Sequence, residues 1–237
     1  MTDLFDVLDA TWPAYASHRA GPWLVREGRG GGKRVSAATP AGDWADADIP
    51  LAETAHAELG QVPLFLIRPA DAALDAALAS RGYDVVDPVN IYAAPVAVLA
   101  ATPPKRMTTF PIWPMLAIMR DQWVGSGTGP ERLANMERAI PPRTSILGRI
   151  EDRAAGVAFV AVHGDTAMLH ALHILPEFRR KGLAANVLRA AAVWGERQGA
   201  SQLALAVTRD NLPANALYAS LGMQVVEQYH YRRAARR

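Results

Sequence analysis

An apolar run ending at Ile174, a short basic turn and a long alanine-rich helical pattern follow one another without a break, and this restricts the fold more than any other stretch. The turn reads Leu175-Pro176-Glu177-Phe178-Arg179-Arg180-Lys181-Gly182-Leu183-Ala184. It predicts a strand, a tight connection and a helix. The first backbone N–H groups of such a helix have no partner inside it, and they point the same way as the positive end of its dipole. A helix start of this kind attracts phosphate. Gly182 has no Cβ, so a ligand can approach the backbone closely there. Arg179, Arg180 and Lys181 add positive charge at the same place, an arrangement suited to a pyrophosphate.

The surrounding pattern is regular. Trp113 to Trp123 reads as a helix, with Leu116, Met119, Arg120 and Trp123 at helical spacings. Gly125 to Gly129 is a loop, and Pro130 to Ile140 reads as a second helix with proline at its start, where a missing N–H costs nothing. Ser145–Ile150, Gly156–His163 and Ala167–Ile174 read as three strands divided by polar turns. After the basic turn and its helix, Leu203–Val207 is a strand pattern. Thr208-Arg209-Asp210-Asn211 follows, then a helical stretch carrying Tyr218 and closing at Gly222-Met223, then a last strand.

The spacing Arg179-x-x-Gly182-x-Ala184 resembles the acetyl-CoA signature of the GNAT N-acetyltransferase superfamily. The Asn211, Tyr218 and Gly222-Met223 segment is similar to that superfamily's second signature, and the order along the chain agrees. The resemblance implies an α/β (α+β) fold of the acyl-CoA N-acyltransferase kind, a mixed sheet flanked by helices. It implies acetyl-CoA as cofactor, CoA as product, no metal, and a primary amine of a small molecule or peptide as acceptor. Cofactor contacts are expected from Leu172, His173 and Ile174 through their backbone. The phosphates would be held by Arg179, Arg180, Lys181, Gly182, Leu183 and Ala184, with Asn211, Asn215 and Tyr218 further along.

Thr102-Pro103-Pro104-Lys105-Arg106 reads as a linker, since paired proline stops helix and strand alike. It suggests a catalytic domain in 103–237 and a separate domain in 1–102. Laid without gaps over Leu203–Arg233, the segment Pro63–Ala93 gives a faint repeat. Ala76, Ala79, Ser80, Gly82, Val85 and Val86 match Ala216, Ala219, Ser220, Gly222, Val225 and Val226. Leu64–Ile67 reads as a strand, Ala70–Arg81 as a helix and Gly82 as its terminator. Trp23–Glu27 and Arg34–Ala38 flank Gly30-Gly31-Gly32 as a hairpin. One reading is a degenerate GNAT-like half, giving a tandem of two; the other is a chance match of small-residue helices. The first half lacks the basic turn, and Leu78 stands where Tyr218 stands.

Acetyl transfer from a thioester needs a held cofactor, a deprotonated amine, a stabilised oxyanion and a proton for the leaving thiolate. In strand alternation Met168, His170 and Leu172 share one face and His173 takes the other. Met168 falls where many family members carry glutamate, so that carboxylate base is missing. The run Leu169-His170-Ala171-Leu172 resembles arylalkylamine N-acetyltransferases, in which the position of His170 helps remove the amine proton, through water. An unperturbed imidazole titrates near pH 6.5, which suits the task. The plainer reading of His170 is a half-buried strand residue, and the His173 side chain is read as structural. Backbone N–H groups from Leu172 to Ile174 would support the oxyanion. Tyr218 is either the acid that protonates the thiolate or a core tyrosine. Asn211 either bonds the pantetheine arm or caps its helix. Gly125–Gly129 lacks the Gly-Lys-Ser/Thr ending of a phosphate loop and, by the resemblance, borders the acceptor as a lid. Trp113 and Trp123 line an acceptor pocket or belong to the core.

Composition narrows the remaining classes. Half of the 237 residues are hydrophobic and the net charge is +2, as in ordinary globular proteins. Cysteine is absent, which removes disulfides, thiolate metal sites and an acyl-cysteine intermediate. The acidic start, without an apolar signal core, leads to the expectation of a cytoplasmic protein, with no membrane partner. Arg232, Arg233, Arg236 and Arg237 read as a solvated tail, and no basic stripe interleaved with aromatics points to nucleic acid. A monomer or homodimer is expected. The competing reading is a non-catalytic acyl-CoA-binding regulator, its chemistry lost with the glutamate missing at Met168.

Overall fold

The computed structural model describes residues 2–235. The amino-terminal elements are α1 (Leu4–Thr11), β1 (Ala16–Ala20), β2 (Trp23–Glu27), β3 (Ala38–Pro40), α2 (Ile49–Glu58), β4 (Leu64–Ile67), α3 (Ala72–Ser80) and β5 (Tyr83–Pro95). Then come α4 (Val96–Ala100), β6 (Thr109–Ile112), α5 (Ala117–Gly125), α6 (Pro130–Arg138), β7 (Arg143–Ile150), β8 (Arg153–His163) and β9 (Thr166–Ile174). The chain ends with α7 (Leu183–Arg197), β10 (Gln202–Thr208), α8 (Leu212–Ser220) and β11 (Gln224–Ala234). Two compact units result. Their described residues come from Met1–Pro13, Ile91–Val207 and Asn211–Val226 in the first, and from Ala14–Asn90, Thr208–Asp210 and Glu227–Arg237 in the second. The division is not linear: the linker around Pro103-Pro104 lies inside the first unit, which also takes in α1.

In the first unit the strands stand in the order β10-β9-β8-β7-β6. β9 and β10 run parallel and the remaining neighbours antiparallel, so the sheet is mixed. Leu183, Val187, Leu188 and Ala191 recur at helical spacing on α7 and bury a stripe against Val160, Leu169 and Leu203. The opposite sheet face carries Phe159 and Met168, both fully buried. There α1, whose first turn is capped by Asp3 accepting from the Phe5 N–H at 2.8 Å, brings Trp12 edge-on to Phe159 at 6.2 Å.

Trp113 is not part of a helix. Pro114 restricts the residue before it to extended backbone, and α5 begins only at Ala117. The preceding Thr109–Ile112 forms the edge strand β6 on β7, which its proline had concealed. Trp123 is fully buried on α5.

The second unit has the order β1-β2-β3-β4-β11, again mixed, with β3 and β4 parallel. Its core joins Trp23, Phe65, Leu74, Leu78 and Tyr83. The hairpin arm expected at Arg34–Ala38 begins only at Ala38, because Lys33–Val35 turns as a short 3-10 helix. The tail expectation is also corrected at Arg232. This residue lies in β11 and its Nε donates to Asp75 Oδ1 at 2.6 Å, beside His230 Nε2 on the same oxygen at 2.8 Å. Arg233 belongs to the same strand; Arg236 and Arg237 lie outside the described residues. No helix among the described residues is long and apolar enough to cross a membrane.

Candidate functional site

β9 and β10 pair from Gln202↔Thr166 to Leu205↔Leu169 and then part, although β9 continues to Ile174 and β10 to Thr208. The cause lies in β9. Ala171 takes φ +49° and the ladder to β8 slips: Phe159 faces His170, yet Val157 faces His173. One extra residue on β9 makes a bulge, which bends a strand and re-aims its side chains. The indole N–H of Trp123 donates to the Ala171 carbonyl at 2.8 Å and fixes the bulge from α5. Gly156 sits opposite, where an added Cβ would stand 2.7 Å from the His173 carbonyl.

The bulge overturns the alternation expected along this strand. Leu169 before it, and Leu172 and Ile174 after it, all pack on the same core against α7. His173 therefore shares the face of Met168 and His170, and Leu172 does not. Period-two reasoning fails here because the extra residue reverses the side assignment of everything that follows.

Where the strands part, a cavity of about 970 Å³ opens, at the upper end of the usual size for small-molecule and cofactor sites. Leu172, His173 and Ile174 line it from β9, and Arg179, Arg180, Gly182, Leu183 and Ala184 from the turn and the start of α7. Asn211 and Tyr218 line it from α8. The start of α7 carries no side-chain cap, so its leading N–H groups remain available. Gly182 stands at φ +80° with nothing within 4 Å of the Cβ position, so the phosphate-sized space over it is open. Arg179 Nε donates to the Ile174 carbonyl at 3.1 Å and ties the turn to the end of β9.

Three predicted site residues are not in the lining. Lys181 points to Glu151 at 3.6 Å, with both side chains largely in solvent. Asn215 donates to the Asn211 carbonyl at 2.8 Å. His170 is 6% exposed, with Nε2 2.8 Å from Thr11 Oγ1 and its ring 5.1 Å from Trp12. Asn211 does cap α8, its side chain accepting from the Ala214 N–H at 3.2 Å, and it lines the cavity as well.

Tyr218 is 6% exposed, its ring 5.5 Å from that of Tyr92. Burial, with a smaller contribution from Tyr92, pushes its phenol up to about 12, so it stays protonated. His173 is shifted down, by burial first and then by the Arg179 guanidinium, which favours the neutral ring. Tyr92 and the Trp123 anchor escaped the sequence reading, since each acts through a contact remote in the chain.

Residues 112–223 match the model of the acetyltransferase (GNAT) family. The uncharacterized N-acetyltransferase YobR of Bacillus subtilis (strain 168) is 28% identical over 233 residues, 94% of either chain. Aminoglycoside N(6')-acetyltransferase type 1 of Acinetobacter haemolyticus is 31% identical over 81 residues, 32% of this chain and 56% of that one. Among solved structures, a GCN5-related N-acetyltransferase from Kribbella flavida superposes with TM-score 0.71 at 17% identity, covering 99% of this chain and 95% of the other. That likeness is one of fold.

Proposed function

We propose that the chain is an N-acetyltransferase of the GNAT family that passes the acetyl group of acetyl-CoA directly to a primary amine while both are bound. The observation that carries this reading is the cavity at the parted ends of β9 and β10, closed at one end by the uncapped start of α7. The pyrophosphate would lie on the N–H groups after Gly182, beside Arg179 and Arg180. The pantetheine arm would run between the strands past Asn211. No cysteine exists to carry the acetyl group, which favours transfer in a ternary complex.

In the reaction the amine lone pair attacks the thioester carbon. The carbonyl oxygen gains charge against the peptide groups of Leu172 to Ile174, which line the cavity beyond the last pairing with β10. Oriented backbone dipoles stabilise such charge without reorganising. The C–S bond breaks and the thiolate takes the Tyr218 proton. That phenol is weakly acidic, it belongs to the lining of the cavity, and its burial keeps it protonated.

A small-molecule acceptor is favoured by the aminoglycoside acetyltransferase among the similar proteins. In this reading the segment β4–α3–β5 is a degenerate counterpart of β10–α8–β11, for Leu78 stands where Tyr218 stands and no basic turn precedes α3. The test is calorimetry of the full chain with acetyl-CoA, then thiol release across aminoglycosides, polyamines, amino acids and a short peptide. Saturable binding and amine-dependent release are expected. No binding would overturn the cofactor assignment; binding without release for any amine would leave an acyl-CoA-binding regulator.

A further inference from the structure

The residues that line the cavity of about 970 Å³ include four of titratable type, Arg179, Arg180, His173 and Tyr218, and no carboxylate among the described residues. Guanidinium groups offer donors and no acceptor, and the buried phenol holds its proton. His173 is the remaining group able to take a proton at neutral pH. The bulge at Ala171 turns its side chain away from the α7 core, toward the face where Val157, its strand partner, and Phe159 lie. His170 is on that face too, but it is buried, bonded to Thr11, and outside the cavity.

We propose that His173, rather than His170, is the general base that deprotonates the acceptor amine; this rests on the acetyltransferase reading above. A ring nitrogen of His173 takes one proton from R–NH3+, leaving R–NH2 and an imidazolium. R–NH2 forms the C–N bond, the C–S bond breaks, and the thiolate leaves as CoA–SH with the Tyr218 proton. The second ammonium proton, now on the amide nitrogen, returns to the Tyr218 oxygen, and the imidazolium releases its proton to solvent. The sum is R–NH3+ plus acetyl-CoA giving the acetamide, CoA–SH and one proton.

The groups facing His173 agree with this task. Burial and the Arg179 guanidinium disfavour a proton on the ring, Arg180 lines the same cavity, Tyr218 on α8 is neutral, and Val157 and the Trp123-anchored Ala171 carry no charge. A base kept neutral near pH 7, in reach of solvent, can cycle at each turnover.

The full chain is compared with H173Q and H170Q using the best amine of the panel. H173Q is expected to lower kcat/KM at pH 7 by about 100-fold, within the range of general-base contributions, and to abolish its acidic limb. Acetyl-CoA affinity should stay within about twofold, and H170Q should keep the limb. A retained limb in H173Q, or its loss in H170Q alone, overturns the proposal. If the parent chain acetylates no amine, the acetyltransferase reading fails instead. Carbon-13 NMR of the imidazoles then still decides: a His173 ring, identified by its absence in H173Q, that is protonated at pH 7 or does not titrate also overturns the assignment.

Discussion

The segments β4–α3–β5 and β10–α8–β11 share a backbone plan and differ in what they do with it. Helices α3 and α8 are each nine residues long, and each is followed by a capping residue and a glycine in the left-handed region, Gly82 at φ +77° and Gly222 at φ +81°. Leu78 and Tyr218 take the same place in the two helices. Leu78 is fully buried in an apolar core, whereas the Tyr218 phenol lines a cavity. The helix starts differ in the same sense. α2 follows Asp46 and Asp48, whose negative charge disfavours an anion at its start, although no side chain caps it and Asp48 Oδ2 accepts from the Ala45 N–H at 2.8 Å. α7 begins beyond Arg179, Arg180 and Lys181, uncapped and open. A backbone plan needs only apolar spacing and a terminating glycine; an anion site needs the right sign of charge and empty space above the N–H groups.

The sharpest way to break this contrast is to fill the open start of α7. Gly182→Trp should weaken acetyl-CoA binding by at least about 100-fold in calorimetry, because the indole would occupy the phosphate space. Gly182→Ala separates occupancy from backbone strain, since a left-handed alanine costs about 1–2 kcal/mol. If the tryptophan variant binds normally, the cofactor lies elsewhere.

Tyr218→Phe makes the second segment resemble the first at its decisive position. It should lower kcat by roughly 10- to 1,000-fold with little change in acetyl-CoA affinity. Since burial holds the phenol at about 12, the parent kcat should show no alkaline fall attributable to Tyr218 up to about pH 10. A fall centred below that, absent in the phenylalanine variant, would contradict the buried-acid assignment.

Trp123→Phe tests whether the bulge is held from outside β9. Loss of the indole donor to Ala171 leaves a half-buried carbonyl without this partner, worth about 1 kcal/mol in chemical denaturation. The acetyl-CoA affinity should fall with it, as the ends of β9 and β10 lose their fixed separation. An unchanged affinity would show that the bulge is set by β9 itself.

The smallest expected effect lies in the second unit. The Asp75 carboxyl is held below its usual range by the Arg232 hydrogen bond first, opposed by burial and aided by His230. A lowered carboxylate stabilises the fold above the unfolded-state value of about 3.9 and loses that contribution as pH falls through its folded value. Asp75→Asn should therefore cost roughly 1 kcal/mol at pH 7, allowing for its partial exposure, and the gap to the parent should close in strong acid. Acetyl-CoA affinity should not move. If it does, the second unit is not the inert member of the comparison.

Much of the first unit was legible. Apolar alternation and polar turns gave β7, β8 and β9 within a few residues, and the basic turn marked the start of α7. The edge strand β6 was not read, since Thr109–Ile112 is short and contains Pro111, and the helix read from Trp113 ran through Pro114; only pairing with β7 reveals the strand. In the second unit, Leu64–Ile67 was read as the strand it is, whereas the arm at Arg34 was taken up by a 3-10 turn. The cavity residues around Gly182 and Tyr218 were within reach because both rest on local motifs. The faces of Leu172 and His173 were not, because the bulge between them and His170 exchanged the two sides.

The sequence alone determined the residue types that the proposed chemistry calls on: the basic turn, the glycine after it, the asparagine that caps α8 and the tyrosine on it, and the absence of any thiol. These are covalent facts, and short-range preferences suffice to place them on a strand end, a helix start and a helix face. Only the tertiary structure decided which imidazole reaches the cavity. A bulge depends on the partner strand's register and on a donor from a distant helix, Trp123, and neither leaves a trace in local periodicity. One inserted residue at Ala171 exchanged the two sides of the strand beyond it, so His173 was turned into the site and His170 stayed beneath Thr11 and Trp12.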